Sequence, residues 1–286
     1  MATETARPRV ESVRASRWTY LLAYLAAVIV AEIAIAIPGG AGGLDRPFQP
    51  IGLAIHILLV FCLMFLSVFQ QAKDATLAPL LVAVSLASLV RVFSLAVPRF
   101  PFISAPENNA LNTIPWLALV SIPLLVSVAT VAYVQGLRPR DLGLFVHGWR
   151  GVALQFVIAL TGVPLGLVEF MILRQSPWIP EESLGWLLAG GLVVFLATGL
   201  SEELIFRGIM LKRAVEALGG RSGLLYVTAI FASLHTFFLN GFDFVFVFAV
   251  GLLYGFVVLK TKSLWGVILS HSFGNVILYL VAPFHL

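Results

Sequence analysis

Cysteine is almost missing from this chain: Cys62 is the single one among 286 residues. No intrachain disulfide can form, and without a Cys/His tract there is no motif for a structural zinc site. Charge is scarce as well. Only 11% of residues are charged and 60% are apolar, against about 25% and about 45–50% in soluble domains. With a mean hydropathy of +1.00, this excludes a disordered chain, a collagen-like repeat and an ordinary water-soluble enzyme. A low-complexity tail, an internal repeat and a separate soluble domain are also lacking. What the sequence has instead is long apolar runs, so the expected fold is all-α: a polytopic membrane helical bundle.

Nine apolar runs are readable, at roughly 19–38, 51–70, 77–97, 114–134, 151–173, 186–211, 223–239, 243–259 and 264–283. Polar or Gly/Pro stretches such as Pro38-Gly39-Gly40 and Arg138-Pro139-Arg140 separate them. The third and fourth runs are the least secure, since one of them can be read as re-entrant. The expectation is therefore eight or nine transmembrane helices. The first run is basic-flanked like a signal peptide, but it is longer than a signal core and contains Glu32, so it reads as an uncleaved anchor.

The net charge of +4 does not point to nucleic acid, because the basic residues are scattered over loops. They report orientation instead. With a cytoplasmic N-terminus, thirteen of the 18 Lys and Arg fall on inside segments: Arg7, Arg9, Arg14, Arg17, Lys73, Arg138, Arg140, Arg150, Lys212, Arg213, Arg221, Lys260 and Lys262. Only Arg46, Arg99 and Arg174 fall outside, and Arg91 and Arg207 lie within runs. The bias satisfies the positive-inside rule. It fits an integral protein of a bacterial inner membrane.

Ionisable residues inside spans are costly, and each is a functional-site hypothesis by default. Glu32, His56, Arg91 and Glu169 are spread thinly over the first five runs, whereas Glu202, Glu203, Arg207, His235 and His271 crowd the later ones, with Asn275 beside them. Glu203 and Arg207 stand at i and i+4 with the acid first, the favourable order for a helical ion pair. Glu202, about 100° around the helix, is left without that partner. Counted from the basic span ends, Glu202 lies about 15 Å deep, His235 about 18 Å, and His271 and Asn275 about 12 and 18 Å. His271 and Asn275 share one helix face. The expected site is thus in the C-terminal helices, below the cytoplasmic surface.

A carboxylate with two imidazoles can activate water by general-base catalysis, while an amide or imidazole N–H stabilises an oxyanion. Alternatively, Glu202, His235 and His271 could ligate a zinc ion with an open water position. Neither a His-Glu-x-x-His helix nor a Gly-x-Ser-x-Gly elbow is present. Both routes hydrolyse an amide, as glutamate-type or metallo-type chemistry.

At these residues the sequence resembles the CAAX-protease and bacteriocin-processing family of intramembrane endopeptidases, also called the Abi or type II CAAX prenyl endopeptidase family. Its pattern is Glu-Glu-x-x-x-Arg, Phe-x-x-x-His and His-x-x-x-Asn or Asp. Here these are Glu202-Glu203…Arg207, Phe231…His235 and His271…Asn275. The resemblance covers about residues 185–283, dividing the chain into an N-terminal transmembrane region of unassigned role (1–180) and a protease core (181–286). It implies a hydrolase acting on a membrane-anchored protein or peptide. Glu202 would activate water with His235 aiding; His271 and Asn275 would hold the oxyanion; Glu203 and Arg207 would support them. A metal-free site is preferred, with zinc left open as a cofactor.

Two other readings compete. A proton-coupled transporter would use the same buried groups, but shows repeated halves and broken helices not seen here. A non-catalytic membrane immunity or partner protein would keep the motifs without the chemistry. Gly251 and Gly255 read as a close-packing pair. Arg91, Glu32 and Glu169 are expected to pair within the N-terminal half. Asn240 and Asp243 read as helix caps, and the tryptophans mostly as interfacial anchors.

Overall fold

The computed structural model describes residues 7–39, 46–96 and 110–286; side chains are described from residue 17, and not at 110 or 111. Gly40, Arg99 and the side chains of Arg7, Arg9 and Arg14 lie outside the described residues. The described chain is all helical, with nine helices and eight candidate membrane spans. The helices are α1 (Arg7–Ala36), α2 (Gln49–Gln71), α3 (Leu77–Ala96), α4 (Ala110–Val134), α5 (Gly148–Leu173), α6 (Leu184–Leu218), α7 (Gly220–Ser233), α8 (Gly241–Thr261) and α9 (Trp265–His285). The protein is an integral membrane protein.

The runs thought least secure are both candidate spans: α3 has 20 residues and α4 has 25. The short one is the seventh. There α7 has 14 residues and continues as a 3₁₀ turn, Leu234–Phe238. Together they rise about 31 Å, at about 1.5 Å per α-residue and 2 Å per 3₁₀-residue.

Local chemistry sets the joints. Asp74 Oδ1 accepts hydrogen bonds from the Thr76 and Leu77 amides at 3.1 and 3.0 Å, capping α3. Asn240 caps α8, accepting from the Phe242 and Asp243 amides at 3.0 and 3.2 Å. Asp243 caps nothing: it is fully buried, and among the described residues neither carboxylate oxygen has a hydrogen-bond partner. Between α6 and α7 the chain reverses at Gly219, whose φ of +85° suits glycine.

Two apolar clusters hold the bundle. One joins residues of α1–α4 and α6–α9 and includes Leu21, Leu63, Leu80, Leu124, Phe206, Ile230 and Ile268. The other, around Ile179, joins the start of α4, the end of α5, the start of α6 and the end of α9. Against α9 packs α5, with almost no side chain between. A Cβ at Gly162 or Gly166 would overlap the carbonyl oxygens of Ser270 and Gly274. The pair is the same close-packing spacing as Gly251 and Gly255. At the latter, added Cβ atoms would meet Thr228 and Phe231 (Gly251) or Leu224 (Gly255), so these two glycines admit α7.

Candidate active site

A cavity of about 280 Å³ takes its lining from both apolar clusters. Glu202 on α6, His235 just after α7, and His271 and Asn275 on α9 all line it. The four residues expected at matching depth are therefore brought to one space. Glu203 and Arg207 sit behind them, 0% and 4% exposed.

The local structure of α6 explains how adjacent carboxylates serve different neighbours. Phe195–Leu200 and Leu204–Met210 are π-helical, flanking the α-helical Ser201–Glu203. Such widened turns are uncommon and recur at functional sites. Two hydroxyls return to the carbonyl four residues back, Thr198 to Val194 at 2.7 Å and Ser201 to Ala197. Back-bonding of this kind loosens the helical ladder.

Glu203 Oε1 accepts from Arg207 Nη1 at 2.9 Å and from His271 Nδ1 at 2.9 Å. The i,i+4 ion pair read from spacing is present, and burial removes the alternative of a snorkelling Arg207. His271 then points Nε2 at Glu202, 3.9 Å from Oε2. Phe231 ties the other motif together. The Arg207 guanidinium lies 4.2 Å from its ring centre, a desolvated cation–π contact. Its carbonyl accepts from His235 Nδ1 at 3.2 Å. Four residues separate Phe231 from His235, one helical turn, and this bond leaves His235 Nε2 as the acceptor nitrogen.

Zinc would need three converging protein ligands. Among the described residues, no three His, Cys, Asp or Glu side chains are grouped to hold a metal ion. As placed, Glu202, His235 and His271 are not such a group.

The cavity also holds residues that sequence reasoning placed elsewhere. Arg91 does pair with Glu32, Nε to Oε1 at 2.6 Å, yet it lines the cavity too. Glu169 does not join that pair; it lines the cavity beside Glu202. The missed signal was Gly162-x-x-x-Gly166, which lays α5 on α9 and carries Glu169 one turn on. Trp116 and Trp178 also line the cavity, and Trp178 stacks on Tyr279 at 3.5 Å. His56 is fully buried and stays apart from the cavity lining.

Fold and site together define an integral membrane protein whose buried acids, imidazoles and amide converge on one cavity. Comparison with protein families carries this further. Residues 184–277, about a third of the chain, match the family model described as type II CAAX prenyl endopeptidase Rce1-like. This is the family the three motifs resemble, and all seven motif residues fall inside the match. The match supports a CAAX-type intramembrane protease in general. No curated protein and no solved structure matches the chain.

Proposed function

We propose that the protein is an intramembrane endopeptidase that hydrolyses a peptide bond of a membrane-associated protein or peptide, with water activated by Glu202. The observation that carries this is the convergence of Glu202, His235, His271 and Asn275 on one cavity, with His271 Nε2 3.9 Å from Glu202 Oε2. Glu202 takes a proton from water, and the water oxygen attacks the scissile carbonyl carbon. His235, with Nδ1–H bound to Phe231, offers Nε2 to orient that water. The oxyanion is met by the Asn275 amide and by the second N–H of a doubly protonated His271. Glu202 then passes its proton to the leaving amine as the C–N bond breaks. Glu203 and Arg207 act through His271 by fixing the ring, as a carboxylate behind a functional imidazole does.

The bias of Lys and Arg sets the N-terminus in the cytoplasm of a bacterial inner membrane under this reading. The test uses purified protein in detergent and membrane-tethered peptides, with cleavage followed by mass spectrometry. Glu202→Ala is expected to lower cleavage by at least about 10²-fold, with wild-type cleavage surviving a strong chelator. Loss on chelation, restored by zinc, would move Glu202, His235 and His271 to ligand roles. Cleavage undiminished in Glu202→Ala would remove Glu202 from the chemistry.

A further inference from the structure

We propose that Arg91, from α3 and outside the family-matched region, is a positioning residue for His235. This rests on the endopeptidase reading above. Its guanidinium bridges two elements. Nε donates to Glu32 Oε1 on α1 at 2.6 Å, and Nη2 donates to the carbonyl of Leu234. Leu234 is the first residue of the 3₁₀ turn, immediately before His235. A carbonyl oxygen has two lone pairs, so the Leu234 oxygen can accept from Arg91 as well as from its own turn.

Glu32 is 0% exposed. A buried carboxylate needs its cation, so Glu32 fixes where Arg91 can sit, and Arg91 in turn fixes the Leu234 peptide. The same turn is gripped again two residues beyond His235. Phe237 has the Arg46 guanidinium 4.2 Å and the Arg91 guanidinium 5.5 Å from its ring centre. Both α1 and α3 pack against the C-terminal helices here, α1 directly on the 3₁₀ turn. Among the described residues the His235 side chain makes one hydrogen bond, to the Phe231 carbonyl at 3.2 Å, at the long end for such bonds. The angle at which its ring enters the cavity is therefore set by the backbone turn, and that turn is held by Arg91. In this way the N-terminal helices contribute to the chemistry without supplying a reacting group.

A merely neutralising role would be met equally by lysine. A bridging role would not, because an ammonium lacks the planar fork that reaches two acceptors. Three proteins are compared with wild type: Arg91→Lys, the neutral double variant Glu32→Gln/Arg91→Gln, which strands no buried charge if Arg91→Lys fails to fold, and Glu202→Ala. Each is read for kcat and KM on a cleaved peptide, per folded protein, and for the ¹⁵N ring signals of His235, assigned with His235→Gln. In both Arg91 variants kcat is expected to fall about 10- to 100-fold, as a misplaced catalytic group costs, with KM within about threefold and the His235 signals displaced. Wild-type kcat per folded protein in the Arg91 variants, or undisplaced His235 signals, overturns the inference. Undiminished cleavage in Glu202→Ala instead sinks the endopeptidase reading, while the ring signals still decide whether Arg91 holds His235.

Discussion

Two buried Glu–Arg–His groups occupy the two halves of this molecule, alike in composition and unlike in construction. In the C-terminal half Glu203 and Arg207 are one helical turn apart, and His271 comes from α9. In the N-terminal half each member has its own helix: Glu32 on α1, His56 on α2, Arg91 on α3. In both, Oε1 of the acid faces the arginine and the histidine while the buried Oε2 lacks a hydrogen-bond partner. The alignment differs. His271 Nδ1 bonds Glu203, whereas His56 Nε2 stands 3.2 Å from Glu32 Oε1 without hydrogen-bond alignment, and neither His56 ring nitrogen has a hydrogen bond among the described residues. One group is organised around its histidine. The other is organised around its arginine, which reaches on to Leu234. Identical residue types thus build a histidine-orienting device in one place and a backbone clamp in the other.

The sharpest way to break the comparison is to strand a charge in each. Arg207 is 4% exposed and shields fully buried Glu203. Arg207→Ala is expected to destabilise the protein by about 3–5 kcal/mol, the usual cost of leaving one buried charge unpaired. It should also free the His271 ring and abolish cleavage. Unfolding in mixed detergent with rising sodium dodecyl sulfate measures the first, and peptide cleavage the second. Glu32→Ala should cost less, about 1–3 kcal/mol, because the side chain of Arg91 is 17% exposed to the cavity and can be solvated there. Equal losses in the two variants would mean that both groups are equally sealed.

The histidines give a smaller and more telling contrast. His56→Phe removes two unpartnered ring nitrogens from a buried site and leaves Glu32 its arginine. It is expected to stay within about 1 kcal/mol of wild type, since apolar replacement of buried polar groups is often neutral. His271→Phe deletes an aligned bond to a buried carboxylate and should cost about 1.5–3 kcal/mol. The same denaturation series on the two variants checks the pair. A His56→Phe loss as large as that of His271→Phe would show that His56 holds Glu32 as His271 is held by Glu203.

This contrast also explains what could be read in advance. Glu203 with Arg207, and His271 with Asn275, are within one helical turn, so helical periodicity alone relates them. The π-helical turns around Ser201–Glu203 escape a reading that assumes 3.6 residues per turn, and with them the way Glu202 and Glu203 reach opposite sides of one imidazole. Apolar runs reveal the spans because length and hydropathy decide insertion. They do not reveal that α7 shortens into a 3₁₀ turn, which the Arg91–Leu234 contact accompanies. Pairing of Glu32 with Arg91 follows from the cost of buried charge. The absence of Glu169 from that pair does not, because its place depends on how closely Gly162 and Gly166 bring α5 to α9.

A third acid–arginine pair adds a control at the span ends, with Asp74 in the turn between α2 and α3. Arg17 Nε reaches Asp74 Oδ2 at 2.5 Å, and Arg17 Nη1 reaches the Ala217 carbonyl at 2.5 Å. Burial would raise the Asp74 carboxyl, but hydrogen bonds from Arg17, Leu77 and Thr76 outweigh it and hold it below its ordinary value. A depressed carboxylate contributes stability above its unfolded value, about pH 4, and loses it as pH falls through the lower folded value. Wild type should therefore exceed Asp74→Asn in melting temperature at pH 7, and the gap should close below about pH 4. A gap that persists at about pH 3 would show that Asp74 acts through its hydrogen bonds whatever its charge, and would remove the charge of this pair from the comparison.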